Sequence, residues 1–263
     1  MRVALTIAGS DPSGGAGLQA DIKTFTVFGV YGTSVVTALT VQDSRGVRST
    51  LAIPPASVAE QLDVVIDDLA PAAAKTGMLP SAAVIEVLVA RLRARPLARL
   101  VVDPVMISTS GAALMDATAV DVLRDELLPL ASLVTPNVHE AESLTGMRVS
   151  DVATMAEAAR ALVALGAQAA LVKGGHLTGD AVDVLCSANR IVELRGPRIA
   201  IGQTHGTGCA LSAAVVAGLA LGRNLEDAVR MAKSWLTRAL ESAVRLGHGA
   251  TPPNHLFAIR RED

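Results

Sequence analysis

The sequence predicts a single α/β domain over residues 1–263, with a central and largely parallel sheet. Short β-branched runs alternate with longer amphipathic segments, which is the pattern of repeated strand–helix units. Hydrophobic residues make up 51% of the chain and charged residues 18%, so a large core is available and disorder is excluded. No Ser/Gly linker, charge block or repeat divides the sequence, which favours one domain.

The first strand–helix unit is read from its apolar run and its glycines. A strand is predicted over Arg2–Ala8, and a helix over about Gly17–Phe28 is closed by Gly29 at a C-cap position. Thr33–Val41 is apolar almost throughout, so we expect a strand that is buried on both faces.

The same alternation continues to the end of the chain. Ser57 has Glu60 three residues on, the spacing of a capping box, and is expected to cap a helix that ends at Leu69. Between Asp180 and Ile201, turns at Asn189-Arg190 and Gly196-Pro197 predict short antiparallel strands at one edge. The remaining predicted strands are Ala72–Thr76, Leu100–Asp103, Ser132–Thr135 and Ala169–Lys173, and the remaining helices are about Ser81–Ala94, Ala117–Leu128, Val152–Leu165, Gly208–Leu221 and Leu225–Leu246.

Composition limits the partners of this chain. A net charge of −2, a pI near 6.2 and 2% aromatic residues give neither a basic surface nor stacking platforms, so nucleic acid is not expected. Cys186 and Cys209 are too few for a disulfide framework and lack metal-ligand spacing. The longest apolar stretch, Ala210–Gly222, is shorter than the roughly 18 residues that indicate a membrane span. We expect a soluble, cytoplasmic protein with no membrane partner.

The carboxyl ends of the predicted strands are rich in glycine and polar residues. In open parallel sheets ligands bind beyond these ends, so we expect the functional site there. The segments concerned are Gly9–Gly17, Gln42-Asp43, Thr76–Met78, Asp103–Met106, Thr135–Glu140 and Lys173–His176.

The loop Gly9–Gly17 has two interpretations. Gly15-Ala16-Gly17-Leu18-Gln19-Ala20 matches the dinucleotide fingerprint by letter, but that fingerprint follows its strand immediately, and here six residues intervene after Ala8. No Gly-Lys-Ser/Thr follows, so the loop is not a Walker motif either. It is either a tight turn that uses glycines for positive φ or backbone packed closely against a small ligand.

A second glycine-rich turn, Thr204–Cys209, leads directly into an apolar helix. The free N–H groups and the positive dipole end at such a helix start favour an anion such as phosphate. Cys209 lies in the first helical turn, where a thiolate is favoured. The alternative is a glycine hinge with a small buried cysteine, but the concentration of Gly and Thr before the helix favours anion binding.

Several polar side chains near the strand ends also have two interpretations each. Asn137 and Glu140 have the spacing of a capping box, the better-supported interpretation, and alternatively Glu140 holds hydrated Mg²⁺ beside phosphates. Asp103, before a proline, is a strand-end turn residue or a carboxylate that faces a metal. Lys173 lies near phosphates or only ends a strand. Gln42 is a polar strand end, or its amide reads a ring that carries an amine beside a ring nitrogen.

Three histidines without identifiable partners are expected at the surface, namely His139, His248 and His255.

Taken together, these motifs resemble those of the hydroxymethylpyrimidine/phosphomethylpyrimidine kinases of thiamine biosynthesis. The segment Ala8–Gly17, followed by Gln19-Ala20-Asp21 and Lys23-Thr24-Phe25, resembles the opening of that family. The resemblance covers about residues 3 to 250, and the ordered set is specific although each motif is weak alone. The further motifs, in the family's order, are Lys75–Leu79, Val102–Met106, Thr135–Asn137, Val172–His176 and Thr204–Cys209.

The resemblance implies a ribokinase-like three-layer α-β-α fold and a homodimer. It implies that the γ-phosphoryl group of ATP, with Mg²⁺, is transferred to the hydroxymethyl group of 4-amino-5-hydroxymethyl-2-methylpyrimidine. Many relatives then add a second phosphate to give the pyrophosphate.

Residue roles follow from the same resemblance. Gln42 is implied to hydrogen-bond the aminopyrimidine edge, in a pocket completed by Gly9, Asp21, Met78 and Val105. Cys209, with Gly206 and Gly208, occupies the position where many ribokinase relatives carry a catalytic Asp. Asp103 and Glu140 are implied to face Mg²⁺, and the residues implied on the nucleotide side are Asn137, Lys173, Thr204 and Thr207.

One segment departs from the family's pattern. After the D-P-V-M segment the family usually has Ala-Lys-Ser-Gly followed by Asp or His, whereas this chain has Ser108-Thr109-Ser110-Gly111-Ala112. The lysine and the following polar residue are missing from a segment that in relatives is a mobile flap over the phosphates. The departure bears on the second phosphorylation.

Three other functions are compatible with parts of the sequence. A pyridoxal or pyridoxine kinase has a similar scaffold and substrate, and Gln42 is the feature that distinguishes the two. A non-catalytic binding module would keep the fold without turnover. A dinucleotide-dependent oxidoreductase rests only on the misplaced fingerprint.

Overall fold

The computed structural model describes residues 1–108, 111, 113–175, 177 and 179–259. The strands are Val3–Ser10 (β1), Tyr31–Asp43 (β2), Gly46–Ala52 (β3), Ala73–Thr76 (β4), Leu100–Val102 (β5), Leu133–Val134 (β6), Ala169–Lys173 (β7), Asp183–Ser187 (β8) and Arg190–Leu194 (β9). The helices are Gly17–Val27 (α1), Pro55–Leu69 (α2), Ala82–Ala94 (α3), Ala117–Val122 (α4), Val138–Thr145 (α5), Val152–Ala164 (α6), Thr207–Ala220 (α7) and Leu225–Glu241 (α8).

The strands form one sheet in the order β3-β2-β1-β4-β5-β6-β7-β8-β9. From β2 to β7 the neighbours run parallel, whereas β3, β8 and β9 are antiparallel to theirs. The predicted α/β fold, with a largely parallel sheet and an antiparallel edge, is confirmed. Strand β1 leads to β2 on one side while β4 lies on its other side, so the strand order reverses there. Ligands of open α/β sheets bind at such a switch point.

Helices cover both faces of the sheet. Alternate residues of a strand point to opposite faces, so each strand packs against both helical layers. Leu5 and Ile7 of β1 pack in the core layer that contains the buried faces of α2 to α6. Ala4 packs in the opposite layer, with α1, α7 and α8. Within α7 every residue from Ala210 to Ala220 is buried, which explains the apolar stretch noted in the sequence. Among the described residues, none of the helices is both long and apolar enough to cross a bilayer.

The edge strands differ from the prediction. The expectation that Thr33–Val41 is buried on both faces is wrong for its second half, where Leu39 is 46% and Val41 57% exposed. This half reaches the end of β1 and continues beyond it, pairing with β3. Strand β3 was not predicted, since its residues are half-exposed or exposed and have no apolar periodicity. Strands β8 and β9 are joined through Ala188 and Asn189, both with positive φ, one residue earlier than the predicted turn.

Three helix ends also differ. Helix α2 begins at Pro55 after Pro54, so Ser57 is not its cap; proline at the first helical position lacks only an N–H that the helix does not use. Helix α4 passes into a π turn and then a 3₁₀ turn, Leu128–Leu130, that contains Pro129. Helix α8 ends at Glu241, five residues early, because Asn254 donates its backbone N–H to Ala239 O (2.9 Å) and its amide to Ser242 O (3.1 Å).

Candidate active site

The two glycine-rich segments of the sequence lie against each other beyond the carboxyl ends of the strands. Gly206 has φ +76°, and a Cβ at this position would overlap the carbonyl oxygen of Gly15. A Cβ at Gly15 would in turn lie 2.9 Å from Cδ2 of His205. Only glycine permits this approach, so the two segments form one wall of a common site.

Asp11 organises the first of these segments. Its buried carboxylate accepts hydrogen bonds from the Ser13 N–H (2.9 Å), the Ser13 hydroxyl (3.0 Å) and the Ala16 N–H (2.9 Å). Burial alone would raise the pKa of Asp11, but its bonds with His205 and Ser13 hold the pKa below the usual value. The loop is therefore closed around an ionised carboxylate.

The second segment leads into helix α7, whose N-terminus carries positive potential. Gly206 is the N-cap and provides no capping side chain. The ammonium of Lys173 lies beside the first turn, 3.2 Å from where a Cβ of Gly208 would be. The hydroxyl oxygen of Thr207 is buried and has no hydrogen-bond partner within the described part of the chain. Exposed N–H groups, a nearby ammonium and a buried hydroxyl suit an anion.

Asp103 is the centre of the polar groups at this edge. Its carboxylate accepts from Lys173 Nζ at 3.0 Å, from Thr135 Oγ1 at 3.2 Å and from Ser212 Oγ at 3.0 Å. Although burial raises the pKa of Asp103, the ammonium groups of Lys173 and Lys75 hold it below its usual range. The side chain is therefore ionised and fixed in position.

Asn137 and Glu140 form the predicted capping box. The Asn137 N–H donates to Glu140 Oε2 at 2.7 Å, and the Glu140 N–H donates to Asn137 Oδ1 at 2.9 Å. Burial, together with the charge of Asp103, raises the pKa of Glu140 to about 7 despite the opposing effect of Lys173. Of the two interpretations left open by the sequence, capping is confirmed, and the metal-binding role stays a prediction.

Asp21 lies beneath the site and not on its lining. Its carboxylate accepts from Lys75 Nζ at 2.9 and 3.0 Å and from the Thr6 hydroxyl at 2.6 Å, and the side chains of Asp21 and Lys75 have no exposed area. Burial raises the pKa of Asp21 although Lys75 and Thr6 oppose this. Burial favours a neutral amine at Lys75, but the Asp21 carboxylate raises the pKa of Lys75 above its usual value. The contacts at 2.9 and 3.0 Å to both carboxylate oxygens are those of an ion pair. The implied contact between Asp21 and a ligand is therefore corrected to a supporting position. No local pattern in the sequence indicates this pair, whose members are 54 residues apart.

Cys209 lies above this buried pair, in the first turn of α7. Burial raises the pKa of its thiol to about 11, and the charge of Lys75 and the N–H of Gly17 offset this only in part. The expectation that a thiolate is favoured here is wrong, because burial outweighs the helix N-terminus. The thiol is neutral at pH 7.

Gln42, at the end of β2, contacts His205 of the second glycine-rich segment, and His205 in turn contacts Asp11 of the first. The Gln42 amide nitrogen lies 2.9 Å from Nε2 of His205, and its amide oxygen lies 3.1 Å from Oγ1 of Thr40. The same Nε2 atom lies 3.0 Å from Asp11 Oδ2. These contacts span 163 and 194 residues, and no local pattern in the sequence indicates them.

Gln42 and His205 line a cavity of about 240 Å³, and a C-terminal segment, residues 248–251, forms one side of it through His248, Gly249 and Ala250. The Ala250 N–H donates to Ser44 O at 2.8 Å, and the Thr251 N–H donates to Gln203 O at 2.9 Å. The segment thus ties the β2–β3 turn to the segment that precedes α7. The other lining residues are Asp43, Ser44, Arg45, Gly46, Ser108 and Gln203.

The remaining candidate residues lie along the same edge. A Cβ at Gly9 would be 3.0 Å from Sδ of Met78, so these two are in contact. Val105 follows Asp103 and donates its N–H to the Asp103 carbonyl at 2.9 Å. Thr204 forms a bridge with Thr251. His176 and the flap positions Thr109, Ser110 and Ala112 lie outside the described residues.

Comparison with known proteins is consistent with this arrangement. A family model described as phosphomethylpyrimidine kinase matches residues 11–254. A hydroxymethylpyrimidine/phosphomethylpyrimidine kinase of Streptomyces coelicolor is 47% identical, over 97% of this chain and 94% of its own. A thiamine biosynthesis bifunctional protein of Geobacter sulfurreducens is 50% identical over 97% of this chain, which spans only 52% of that longer protein.

Two solved kinase structures superpose on this chain over most of its length. The ADP complex of Bacillus subtilis pyridoxal kinase superposes with a TM-score of 0.90 at 38% identity, covering 97% of this chain and 98% of the other. A phosphomethylpyrimidine kinase from Clostridium difficile superposes with a TM-score of 0.82 at 40% identity, covering 91% of this chain and all of the other.

Proposed function

The chain belongs to the phosphomethylpyrimidine kinase family, and from this premise we propose that it phosphorylates 4-amino-5-hydroxymethyl-2-methylpyrimidine with ATP. The hydroxymethyl oxygen attacks the γ-phosphorus, the bond from that phosphorus to the β–γ bridging oxygen breaks, and the alcohol loses its proton. ADP and the pyrimidine monophosphate are the products. The whole of residues 1–263 acts as one kinase domain in this proposal.

The observation that carries the proposal is the contact between the two glycine-rich segments beside Asp103 and Lys173. It places an uncapped helix N-terminus, with Gly206 and Gly208, beside an ammonium group and next to the end of the strand that carries Gln42. Phosphoryl transfer depends mainly on positioning and charge stabilisation, and preoriented N–H groups provide both.

The nucleotide side is assigned to Lys173, Asn137, Thr204 and Thr207. Lys173 is charged and lies beside the first turn of α7, where a transferring phosphoryl group would gain both an ion pair and backbone N–H donors. The pyridoxal kinases with the same fold were solved with ADP and with AMP-PCP, which supports ATP as the phosphoryl donor.

Asp103 and Glu140 fit a hydrated Mg²⁺. No group of three or more metal-ligating side chains occurs among the residues that the structure describes, but Mg²⁺ in kinases commonly takes one or two carboxylates together with phosphates and waters. The repulsion between Asp103 and Glu140 contributes to the raised pKa of Glu140, and a divalent cation relieves such repulsion. When bound, Mg²⁺ neutralises phosphate charge.

The pyrimidine side is assigned to Gln42, Gly9, Met78 and Val105. Gln42 offers amide donors and acceptors, and Met78 and Val105 offer apolar contact to a ring. Asp21 supports this pocket from below through its ion pair with Lys75.

Cys209 acts in this proposal as a neutral thiol near the transferring group and not as a strong base. A loose transition state lets the alcohol lose its proton late, so catalysis does not require a thiolate.

We propose further that the monophosphate is phosphorylated to the pyrophosphate at the same site, and that the enzyme is a homodimer in the cytoplasm. The relatives named for both pyrimidine activities support the second step. The exposed Leu39, which pairs with Leu51 across β2 and β3, supports an interface at that edge. Light scattering after gel filtration measures the oligomeric state directly.

Pyridoxal kinase activity is a second candidate, favoured by the TM-score of 0.90 to the Bacillus subtilis enzyme. The test offers hydroxymethylpyrimidine and pyridoxal separately with ATP and Mg²⁺ and identifies products by mass. Mono- and then diphosphorylated pyrimidine support both steps, and monophosphate alone limits the enzyme to the first. Pyridoxal phosphate alone, or no turnover, overturns the proposal.

A further inference from the structure

We propose that His205, held by Asp11, fixes the orientation of the Gln42 amide and so selects the hydrogen-bonding edge of the substrate ring. His205 is a positioning residue in this inference, which deepens the proposed function and rests on it.

The first contact fixes the proton on His205. Its Nε2 lies 3.0 Å from Asp11 Oδ2, and the ring is packed against Gly15. The Asp11 carboxylate is ionised and only accepts hydrogen bonds, so Nε2 carries a hydrogen. A protonated Nε2 has no lone pair for an amide N–H. The atom at this position, 2.9 Å away, is the Gln42 amide nitrogen, so we assign the amide in the orientation related by a half-turn, with its oxygen facing Nε2.

The second contact gives the same orientation independently. Thr40 Oγ1 lies 2.9 Å from the Ser10 carbonyl oxygen, which can only accept, so the single hydroxyl hydrogen is used there. The atom 3.1 Å from Thr40 Oγ1 is the Gln42 amide oxygen, which would need the same hydrogen, so the half-turn that brings the amide nitrogen here satisfies both groups. The two ends of a glutamine amide are exchanged by a half-turn and are assigned from their partners. Both neighbours require the orientation with oxygen towards His205 and nitrogen towards Thr40.

This orientation determines which hydrogen-bonding groups of the Gln42 amide remain available to a ligand. A primary amide has two N–H donors and two acceptor lone pairs. Thr40 uses one donor, and the single Nε2 hydrogen, which His205 shares between Asp11 and Gln42, uses one lone pair, so one donor and one lone pair remain. An aminopyrimidine offers the complement, a ring nitrogen beside an amine N–H. A pyridine alcohol such as pyridoxal has no amine beside its ring nitrogen, so the fixed amide disfavours it.

Two substitutions separate this role from simple packing. His205→Leu keeps bulk against Gly15 but removes the donor, whereas His205→Gln restores an N–H donor near the position of Nε2. We expect His205→Leu to raise KM for the aminopyrimidine about tenfold, the effect of losing about 1.4 kcal/mol of binding. KM for ATP should stay within twofold, and the preference over pyridoxal should fall. His205→Gln should recover most of the loss, and His139→Leu, at a histidine with a 71% exposed side chain, is the matched control.

A measurement without substrate tests the geometry by itself. In ¹⁵N NMR of the ligand-free protein, the His205 signal, identified by its loss in His205→Leu, should report the form with hydrogen on Nε2. A neutral ring protonated only on Nδ1 overturns the inference, as does a His205→Leu enzyme that loses kcat with KM unchanged or that His205→Gln does not rescue. If the wild type does not turn over the pyrimidine, the proposed function fails, while the NMR result still decides the orientation.

Discussion

The ammonium of Lys75 lies 2.9 Å from one carboxylate oxygen of Asp21 and 3.0 Å from the other, and neither side chain reaches solvent. The pair joins α1 to β4 at the point where the strand order reverses, directly beneath Cys209. Because both side chains are buried, each member of the pair depends on the other to remain charged there.

Removing one member should therefore destabilise the protein strongly. We expect Lys75→Met to lower the free energy of unfolding by about 3–5 kcal/mol, because a buried carboxylate loses its partner. Adding Asp21→Asn should recover part of this loss, measured by urea denaturation as a double-mutant cycle. The control, Arg230→Met, breaks a surface pair with Glu226 and should cost under about 1 kcal/mol. Additive losses at Lys75 and Asp21 would contradict the coupling.

The contact between the glycine-rich segments should be essential for activity. Gly206→Ala places a Cβ against the Gly15 carbonyl and should lower kcat/KM at least about 10²-fold by separating the two segments. Gly202→Ala is the matched control, since Gly202 also has positive φ (+73°) but no atom within 4 Å of its Cβ position. Both substitutions place alanine in a left-handed backbone conformation, which costs about 1–2 kcal/mol. Equal activities for the two variants would mean that the contact is unimportant.

Gln42→Ala should chiefly weaken pyrimidine binding. The loss of one amide that makes two hydrogen bonds should raise KM for the pyrimidine about 10- to 100-fold. KM for ATP serves as the internal control in the same steady-state assays. A change confined to nucleotide affinity would refute the assignment of Gln42.

The raised pKa of Glu140 makes a prediction about stability and pH. Its pKa is about 7 in the folded protein against an ordinary value of 4.5, so the neutral acid favours folding. This contribution is complete below about pH 4.5 and is lost as the pH rises through 7. Glu140→Gln does not ionise, so its stability relative to the wild type should rise by about 2–3 kcal/mol between pH 5 and pH 8. Chemical denaturation at both pH values measures the difference, and a difference that is constant or falls with pH would be inconsistent with the raised value.

Cys209 should react slowly with alkylating reagents at neutral pH, because its pKa is about 11. In a Cys186→Ser background, the rate with iodoacetamide should keep rising above pH 9, and ATP should slow it. Cys209→Ala should lower kcat by less than about tenfold, since the N–H groups of α7 remain in place. A rate that reaches its plateau below pH 8, or a loss above 10³-fold, would restore the thiolate as the working group.

The elements that could be predicted from the sequence are those determined by residues close together in the chain. The apolar runs of β1, β4, β5 and β7 and the capping box of Asn137 and Glu140 were predicted because a few neighbouring residues determine them. Strand β3 was missed, since an exposed edge strand needs no apolar alternation. His255 was expected at the surface, yet it is buried beside Trp235, with ring centroids 6.0 Å apart.

The sequence predicted which strand ends form the site, but not which of their side chains contact one another. The ion pair of Asp21 with Lys75 and the contacts of His205 with Asp11 and Gln42 join residues far apart in the chain. Such pairs depend on the packing of whole layers, and no single window of sequence contains them.

The C-terminal segment, residues 248–251, has a consequence for biosynthesis. Gly249 donates its N–H to the hydroxyl of Ser44, across 205 residues of chain. During translation the β2–β3 turn is therefore made about 205 residues before its partner at Gly249. One side of the cavity beside Gln42 is therefore missing from a nascent chain until this segment is made, and a polypeptide that stops short of the segment lacks the backbone pairing of Thr251 with Gln203.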